Sequence, residues 1–358
     1  MRQAHRNFLL PLFLNPRLQL LFSDHLQALI DHMVGSTHKL SDSVSFFSKS
    51  TFKSMHRLVE EAGELEDLRM LFGPYVPENC LVHFPSPRDV GKSWFCMQLC
   101  LAIASAWPAF LGEPITLHGN TLYISTELGK EVIQRRLKKL FVQPPLPISA
   151  SYKPMVYASR TNLIDDLPKI ATMIEKLKPV LIVIDNLRLA FAGADTNNNK
   201  EITKLMFILL AICESSKATV IITDHFRKHT SGQLSDSDLQ AGSGIKSDLA
   251  DADFFLRKSA QDKHYRILKR GKSRHFEEGD TAKLLRFNPE TFWFELVSDA
   301  VNEAEHVGIR SLTEKSEQKD MAVALRSQGK TLDQIAVILG KGKATIHRWL
   351  KPDGADPD

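Results

Sequence analysis

Ser86-Pro87-Arg88-Asp89-Val90-Gly91-Lys92-Ser93 decides the fold of this 358-residue chain. The stretch fits the pattern G-x-x-x-x-G-K-[ST] at every position except the first, where Ser86 stands for glycine. A loop of this kind aims successive backbone N–H groups, backed by a helix N-terminus, at phosphate oxygens. Lys92 then neutralises the β- and γ-phosphates and the Ser93 hydroxyl ligates Mg²⁺, so ATP with Mg²⁺ is the expected ligand. Residues 80–84 read as a short buried strand and residues 94–106 as an apolar helix, which is the strand–loop–helix order the motif requires. The competing reading is a surface Gly-Lys-Ser that binds nothing. A glycine in the first position normally permits a turn that costs other residues about 1 kcal/mol. Ser86 therefore predicts a weakened grip on nucleotide.

Outward from this loop, composition allows a full α/β core plus a small appendage, with 43% hydrophobic and 25% charged residues. A formal charge of +4 is too mild to identify a nucleic-acid partner, so the distribution of charge has to be read instead. Cys80, Cys96, Cys100 and Cys213 fall in apolar runs without metal-ligand spacing and read as buried thiols. Residues 8–14 resemble the apolar part of a signal peptide, but Asn15, Pro16 and Arg17 follow with no small-residue cleavage site. No run approaches the roughly 18–20 apolar residues of a spanning helix. A cytoplasmic protein with no membrane partner is expected.

Strands and helices alternate from Cys80 onward. Strands are expected at 121–125, 154–158, 180–184 and 218–223, and helices at 130–140, 163–178 and 201–216, a pattern that predicts a mostly parallel sheet between helical layers. Strands near 254–256, 265–269 and 292–296 lack intervening helices and read as an antiparallel extension. Residues 1–75 are expected to form a helical N-terminal segment, including 18–33 and 52–72, that either caps the core or grips a neighbour. The core itself is assigned to 76–300 and a polar linker to 301–319.

In an open parallel sheet, ligands sit at the carboxyl ends of the strands. Asp185 ends one such strand and is the candidate acid on the Mg²⁺ side, the alternative being a helix cap. Glu127 ends another and is the candidate general base that orients the attacking water, the alternative being an ion pair with Arg135 or Arg136.

Residues 122–127 followed by Gln134-Arg135-Arg136-Leu137, residues 237–253, and Leu268-Lys269-Arg270-Gly271-Lys272-Ser273-Arg274 together resemble RecA-like hexameric helicase ATPases. The likeness is to replicative helicases of the RepA type found on plasmids and mobile elements, related to the DnaB type, and it spans roughly residues 78–298. It implies a RecA-like P-loop NTPase core and a homo-oligomer, a hexameric ring being favoured. It also implies that Lys272 and Arg274 reach the γ-phosphate of a neighbouring subunit, with Arg270 as alternative and a solvated basic hairpin as the bland reading. The family places a polar sensor where Asp224 stands. Because an anion there would repel the γ-phosphate, Asp224 is expected to bind metal or water, or His225 to take the role, or turnover to suffer.

DNA is the expected macromolecular partner. Lys228, His229 and Lys246 are weak candidates for phosphate contacts near a channel loop at 229–240. The domain expected at 320–351 carries, from Met321 to Lys351, six basic residues against Asp333. With a capping box at Thr331 and Gln334, this segment resembles the helix-turn-helix of resolvases. That likeness would set Lys343, Thr345, His347 and Arg348 toward a groove or its phosphates. The competing reading is a protein-docking module. The combined expectation is an ATP-driven motor on DNA, or alternatively an ATP-gated DNA-binding regulator with slow hydrolysis acting in transposition or defence.

Overall fold

A computed structural model describes residues 54–63, 66–159, 163–190, 199–225, 244–277, 281–306 and 310–350. Helix α1 (Met55–Ala62) opens it, with the Ser54 hydroxyl accepting the Arg57 N–H as an N-cap. Strands β1 (Met70–Phe72) and β2 (Val76–Pro77) then pair as a ribbon. The expected helix over 52–72 therefore stops early: Gly63 caps it after Ala62, and Leu71, Phe72 and Val76 are buried against the core in the ribbon that Gly73 and Pro74 turn. The expected helix over 18–33 lies outside the described residues.

The core runs β3 (Leu81–Ser86), α2 (Lys92–Ala104), a ribbon of β4 (Ala109–Phe110) and β5 (Glu113–Pro114), β6 (Thr121–Ser125), α3 (Lys130–Leu140), β7 (Pro154–Ala158), α4 (Leu163–Leu177), β8 (Leu181–Asp185), α5 (Leu187–Ala190), α6 (Asn199–Ser216), β9 (Thr219–His225), α7 (Gly244–Leu249), β10 (Ala252–Lys258), β11 (Tyr265–Ser273), β12 (Ala282–Phe287) and β13 (Phe294–Val301). Nine strands form one sheet in the order β13-β12-β11-β10-β3-β9-β8-β6-β7. The pairs from β10 through β3 to β7 are parallel, and those from β10 to β13 are antiparallel. Strands β3, β6, β8 and β9 are continuous apolar runs because helices cover both faces, and the two faces pack as two separate hydrophobic clusters. Phe84, Phe95 and Phe254 stack in one cluster, while Ile182, Ile184, Ile222 and Leu209 lie in the other.

The register matters for function. Ser125 lies opposite Asp185, and Ser86 opposite His225, so the carboxyl ends of four parallel strands finish on one rim. All four cysteines are buried and free, as their apolar settings implied.

Beyond the sheet come α8 (Glu303–His306), α9 (Arg310–Ser327), α10 (Leu332–Leu339) and α11 (Lys343–Trp349). The stretch expected as a polar linker is thus largely helical. Its Lys, Glu, Gln and Ser residues have adequate helix propensity and contain no Gly or Pro between 310 and 327. Ala322, Ile335 and Ile346 form a small core joining the last three helices. The Thr331–Gln334 capping box is reciprocal, and Gly340 closes α10 in the left-handed region at φ 61°.

Candidate active site

The phosphate loop leaves the sheet without the turn expected at its first residue. Ser86 is the last residue of β3, in extended conformation and fully buried. Its hydroxyl donates to Pro85 O at 2.6 Å and accepts the Leu256 N–H at 3.1 Å. The regular pairing of β10 with β3 covers Ala252 and Asp253, so this side chain carries the bridge between the strands beyond their ladder. The left-handed backbone falls instead on Asp89 at φ 60° and Gly91 at φ 103°. The expectation of strain at Ser86 is therefore corrected: the tight turn lies three to five residues later.

Gly91 is the N-cap of α2, and a Cβ there would sit 2.9 Å from Phe294 Cζ. Lys92, the first residue of that helix, is buried and donates its Nζ protons to Ser86 O at 2.8 Å and Pro87 O at 2.9 Å. It also stands 3.1 Å from His225 Nδ1. Burial lowers the Lys92 ammonium to about 8, against the raising effect of Asp185 and Asp224. Burial and then Lys92 depress the His225 imidazole below its ordinary value, so its neutral form serves as the acceptor.

Around this lysine a cavity of about 790 Å³ opens over the strand ends, walled by the loop and by Glu127, Asp185, Asn186 and His225. Asp185 is 2% exposed, with Oδ1 accepting from Thr223 Oγ1 at 2.7 Å and Oδ2 from Tyr123 Oη. Burial and the adjacent carboxylate push the Tyr123 phenol well up, so it stays a donor. Glu127 is exposed to the cavity and accepts a 2.7 Å bond from Asn186 Nδ2. Its expected alternative, an ion pair with Arg135 or Arg136, does not form. Asn186 Oδ1 in turn accepts the Leu189 N–H at 3.1 Å, which fixes the amide and with it the direction of the Glu127 carboxylate. Asn186 was not singled out from sequence, although its place directly after the strand-end acid was a usable signal.

The donor set suits Mg²⁺. A hydroxyl at Ser93 and a carboxylate at Asp185 are hard oxygen ligands. Among the described residues no group of three or more His, Cys, Asp or Glu side chains could hold a metal ion.

Asp224 does not face the cavity. Burial would raise its carboxyl, but His83 and Lys246 outweigh burial and hold it well below the usual carboxylate range. Lys246 Nζ bonds Asp224 Oδ2 directly, His83 Nε2 lies 4.0 Å away, and Asp224 Oδ1 accepts the His225 N–H at 2.8 Å. Asp224 is thus committed to this ion pair, and His225 is the residue at that strand end that lines the cavity. Lys246 is correspondingly consumed in a buried ion pair, not offered to DNA. Lys228 and the channel loop lie outside the described residues.

Lys272 and Arg274, at the end of β11, are exposed and do not line the cavity. Within one chain Lys272 Nζ reaches the Ser247 and Asp248 carbonyls, and Arg274 pairs with Asp251 at 3.0 Å. In the C-terminal helices Lys343 and His347 are exposed, Thr345 is half-buried, and Lys343 forms a surface ion pair with Asp333 at 2.8 Å. Arg348 is placed on α11 by its backbone.

A lysine-bearing loop between β3 and α2, an acid ending a neighbouring parallel strand and a second acid over the same cavity define a P-loop nucleotide-binding site. The family model described as AAA domain matches residues 49–231, just over half of the chain, and the protein belongs to that family. None of the curated proteins matches it. The core is accordingly a P-loop, RecA-like NTPase; the antiparallel strands and C-terminal helices lie beyond the matched region. No helix among the described residues is long and apolar enough to cross a membrane.

Proposed function

We propose that the protein is a Mg-ATP-dependent ATPase that acts on DNA as an oligomeric helicase or remodelling motor. The observation that carries this reading is the convergence of Lys92, Asp185, Glu127 and Asn186 on one cavity. Lys92 leaves its loop carbonyls for the β/γ-phosphate oxygens, and the loop amides with the α2 N-terminus hold the remaining charge. Ser93 and Asp185 would hold the magnesium ion, whose chemistry is to neutralise charge developing on the transferred phosphoryl group. Glu127, aimed by Asn186, orients water for in-line attack and takes its proton. His225, hydrogen-bonded to Lys92, is suited to sense the γ-phosphate through that lysine. Two anomalies that argued against hydrolysis, Ser86 and Asp224, have structural roles that leave the cavity unobstructed.

The DNA-directed part rests on the three C-terminal helices. From residue 321 onward their exposed Arg326, Lys330, Lys341, Lys343 and His347 are accompanied by one acid, Asp333, while the first of the three helices also carries Glu314, Glu317 and Asp320. Lys272 and Arg274, exposed at the end of β11, are the groups a neighbouring subunit's γ-phosphate would meet in a ring or filament. The test is ATP turnover with and without single-stranded and duplex DNA, in the parent protein and in Glu127→Gln. DNA-stimulated hydrolysis that falls about 100-fold or more in the variant supports the motor. Nucleotide binding with turnover that ignores both DNA and Glu127→Gln removes it.

A further inference from the structure

Strand β6 is buried from end to end, and its side chains alternate between the two clusters that cover the sheet. Leu122 and Ile124 belong to the cluster built with α4 and α6, whereas Tyr123 belongs to the one built with α2. Tyr123 is 1% exposed. A phenylalanine would fill the same space, so the hydroxyl is the feature that needs a reason, because a buried hydroxyl has to find a partner. It finds two. The phenol donates to Asp185 Oδ2, and Ser93, in the first turn of α2, approaches the same phenol closely enough to act on it as a hydrogen-bond donor. These two partners are the residues assigned above to magnesium.

The order Ser93, Tyr123, Asp185 has one direction. A serine oxygen ligates a cation only with its own proton turned away, and a hydroxyl rotates freely until an acceptor fixes it. Tyr123 supplies that acceptor. Asp185 receives Thr223 on Oδ1 at 2.7 Å and Tyr123 on Oδ2, so its plane is held while each oxygen keeps a lone pair for the cavity. Hydroxyls aligned in this way also polarise one another.

Resting on the nucleotide site described above, we propose that Tyr123 is a positioning residue for the magnesium site, its hydroxyl joining Ser93 to Asp185 and setting the direction in which both present oxygen. Tyr123 itself touches neither nucleotide nor metal. Losing the hydroxyl therefore weakens the hold on the cation and leaves metal-free nucleotide as it was.

The experiment measures binding to the full-length protein and to Tyr123→Phe, which keeps the ring and removes only the hydroxyl. ADP is titrated in EDTA, and Mn²⁺, a probe for Mg²⁺ that is visible by electron paramagnetic resonance, is titrated into the ADP complex. Tyr123→Phe should raise the Mn²⁺ dissociation constant about 10- to 100-fold, the usual cost of losing a group that orients metal ligands, with ADP affinity in EDTA within about threefold of the parent. Added to Ser93→Ala, the same change should cost at least about threefold less than in the parent, because part of its effect runs through the Ser93 hydroxyl. A Tyr123→Phe protein that holds Mn²⁺ as the parent does would overturn the proposal, as would one that loses ADP equally in EDTA or whose loss is fully additive with Ser93→Ala. Should Tyr123→Phe not fold, the parent labelled with 3-fluorotyrosine gives the answer by fluorine NMR. The Tyr123 signal, identified among the five tyrosines by Phe variants at the other four, should move when Mg²⁺ joins the ADP complex, and a signal that stays in place would overturn the proposal. A folded parent that takes up no nucleotide would instead remove the site itself, and the proposal with it.

Discussion

Replacing Ser86 by glycine restores the phosphate-loop pattern and, on sequence reasoning alone, should improve it. The structure predicts the opposite. Ser86 is extended, so glycine gains no turn, and its hydroxyl is the acceptor for the buried Leu256 N–H. Removing that acceptor leaves a buried donor unsatisfied, at a cost of about 1–3 kcal/mol. Glycine inside a strand adds about 0.5–1 kcal/mol of backbone entropy. Ser86→Gly should therefore lose about 1.5–4 kcal/mol in urea unfolding, and Ser86→Ala about 1–3 kcal/mol, since only the hydroxyl is lost. Mg-ATP affinity of the folded variants, measured by titration, should stay within about threefold of the parent, because the loop amides and Lys92 are not displaced. A Ser86→Gly protein as stable as the parent and binding nucleotide about tenfold tighter would refute this, showing that the first loop position is strained after all.

Three other perturbations follow from the same geometry. Free Lys92 titrates at about 8 and bound phosphates favour its charged form, so binding above that pH must take up a proton. ATP affinity should fall with rising pH above 8, approaching about tenfold per pH unit, while Lys92→Arg, charged throughout, should give a flat profile; a parent profile flat to pH 9.5 would show that Lys92 is not the binding cation. Gly91→Ala forces a Cβ into φ 103° and to 2.9 Å from Phe294, whose ring is held by Phe95 and Phe287, and should cost about 2–5 kcal/mol by calorimetry. Lys246→Met strands Asp224 as an uncompensated buried charge and should cost about 3–5 kcal/mol, with the double change Lys246→Met/Asp224→Leu recovering part of the loss in thermal melts.

The parallel strands and the helices between them were legible because apolar runs of strand length punctuated by amphipathic stretches have few other solutions, and the loop, Glu127 and Asp185 followed from strand ends. What stayed hidden depends on tertiary partners. Strand β12, Lys-Leu-Leu-Arg at its centre, has a weak alternation that only its pairing with β11 and β13 resolves. Ser86 looked like a defect because its partner, Leu256, lies 170 residues away. Asp224 looked like a misplaced anion for the same reason, its cation arriving on α7.

The central claim is that nucleotide phosphate binds at Lys92. Calorimetric titration of Mg-ATP into the full-length protein and into Lys92→Ala tests it most directly. One nucleotide per chain is predicted, with affinity lower by about 10- to 100-fold in the variant as a charge-assisted contact is lost. Equal affinity in the two proteins, or no magnesium-dependent uptake by the folded parent, would contradict the account.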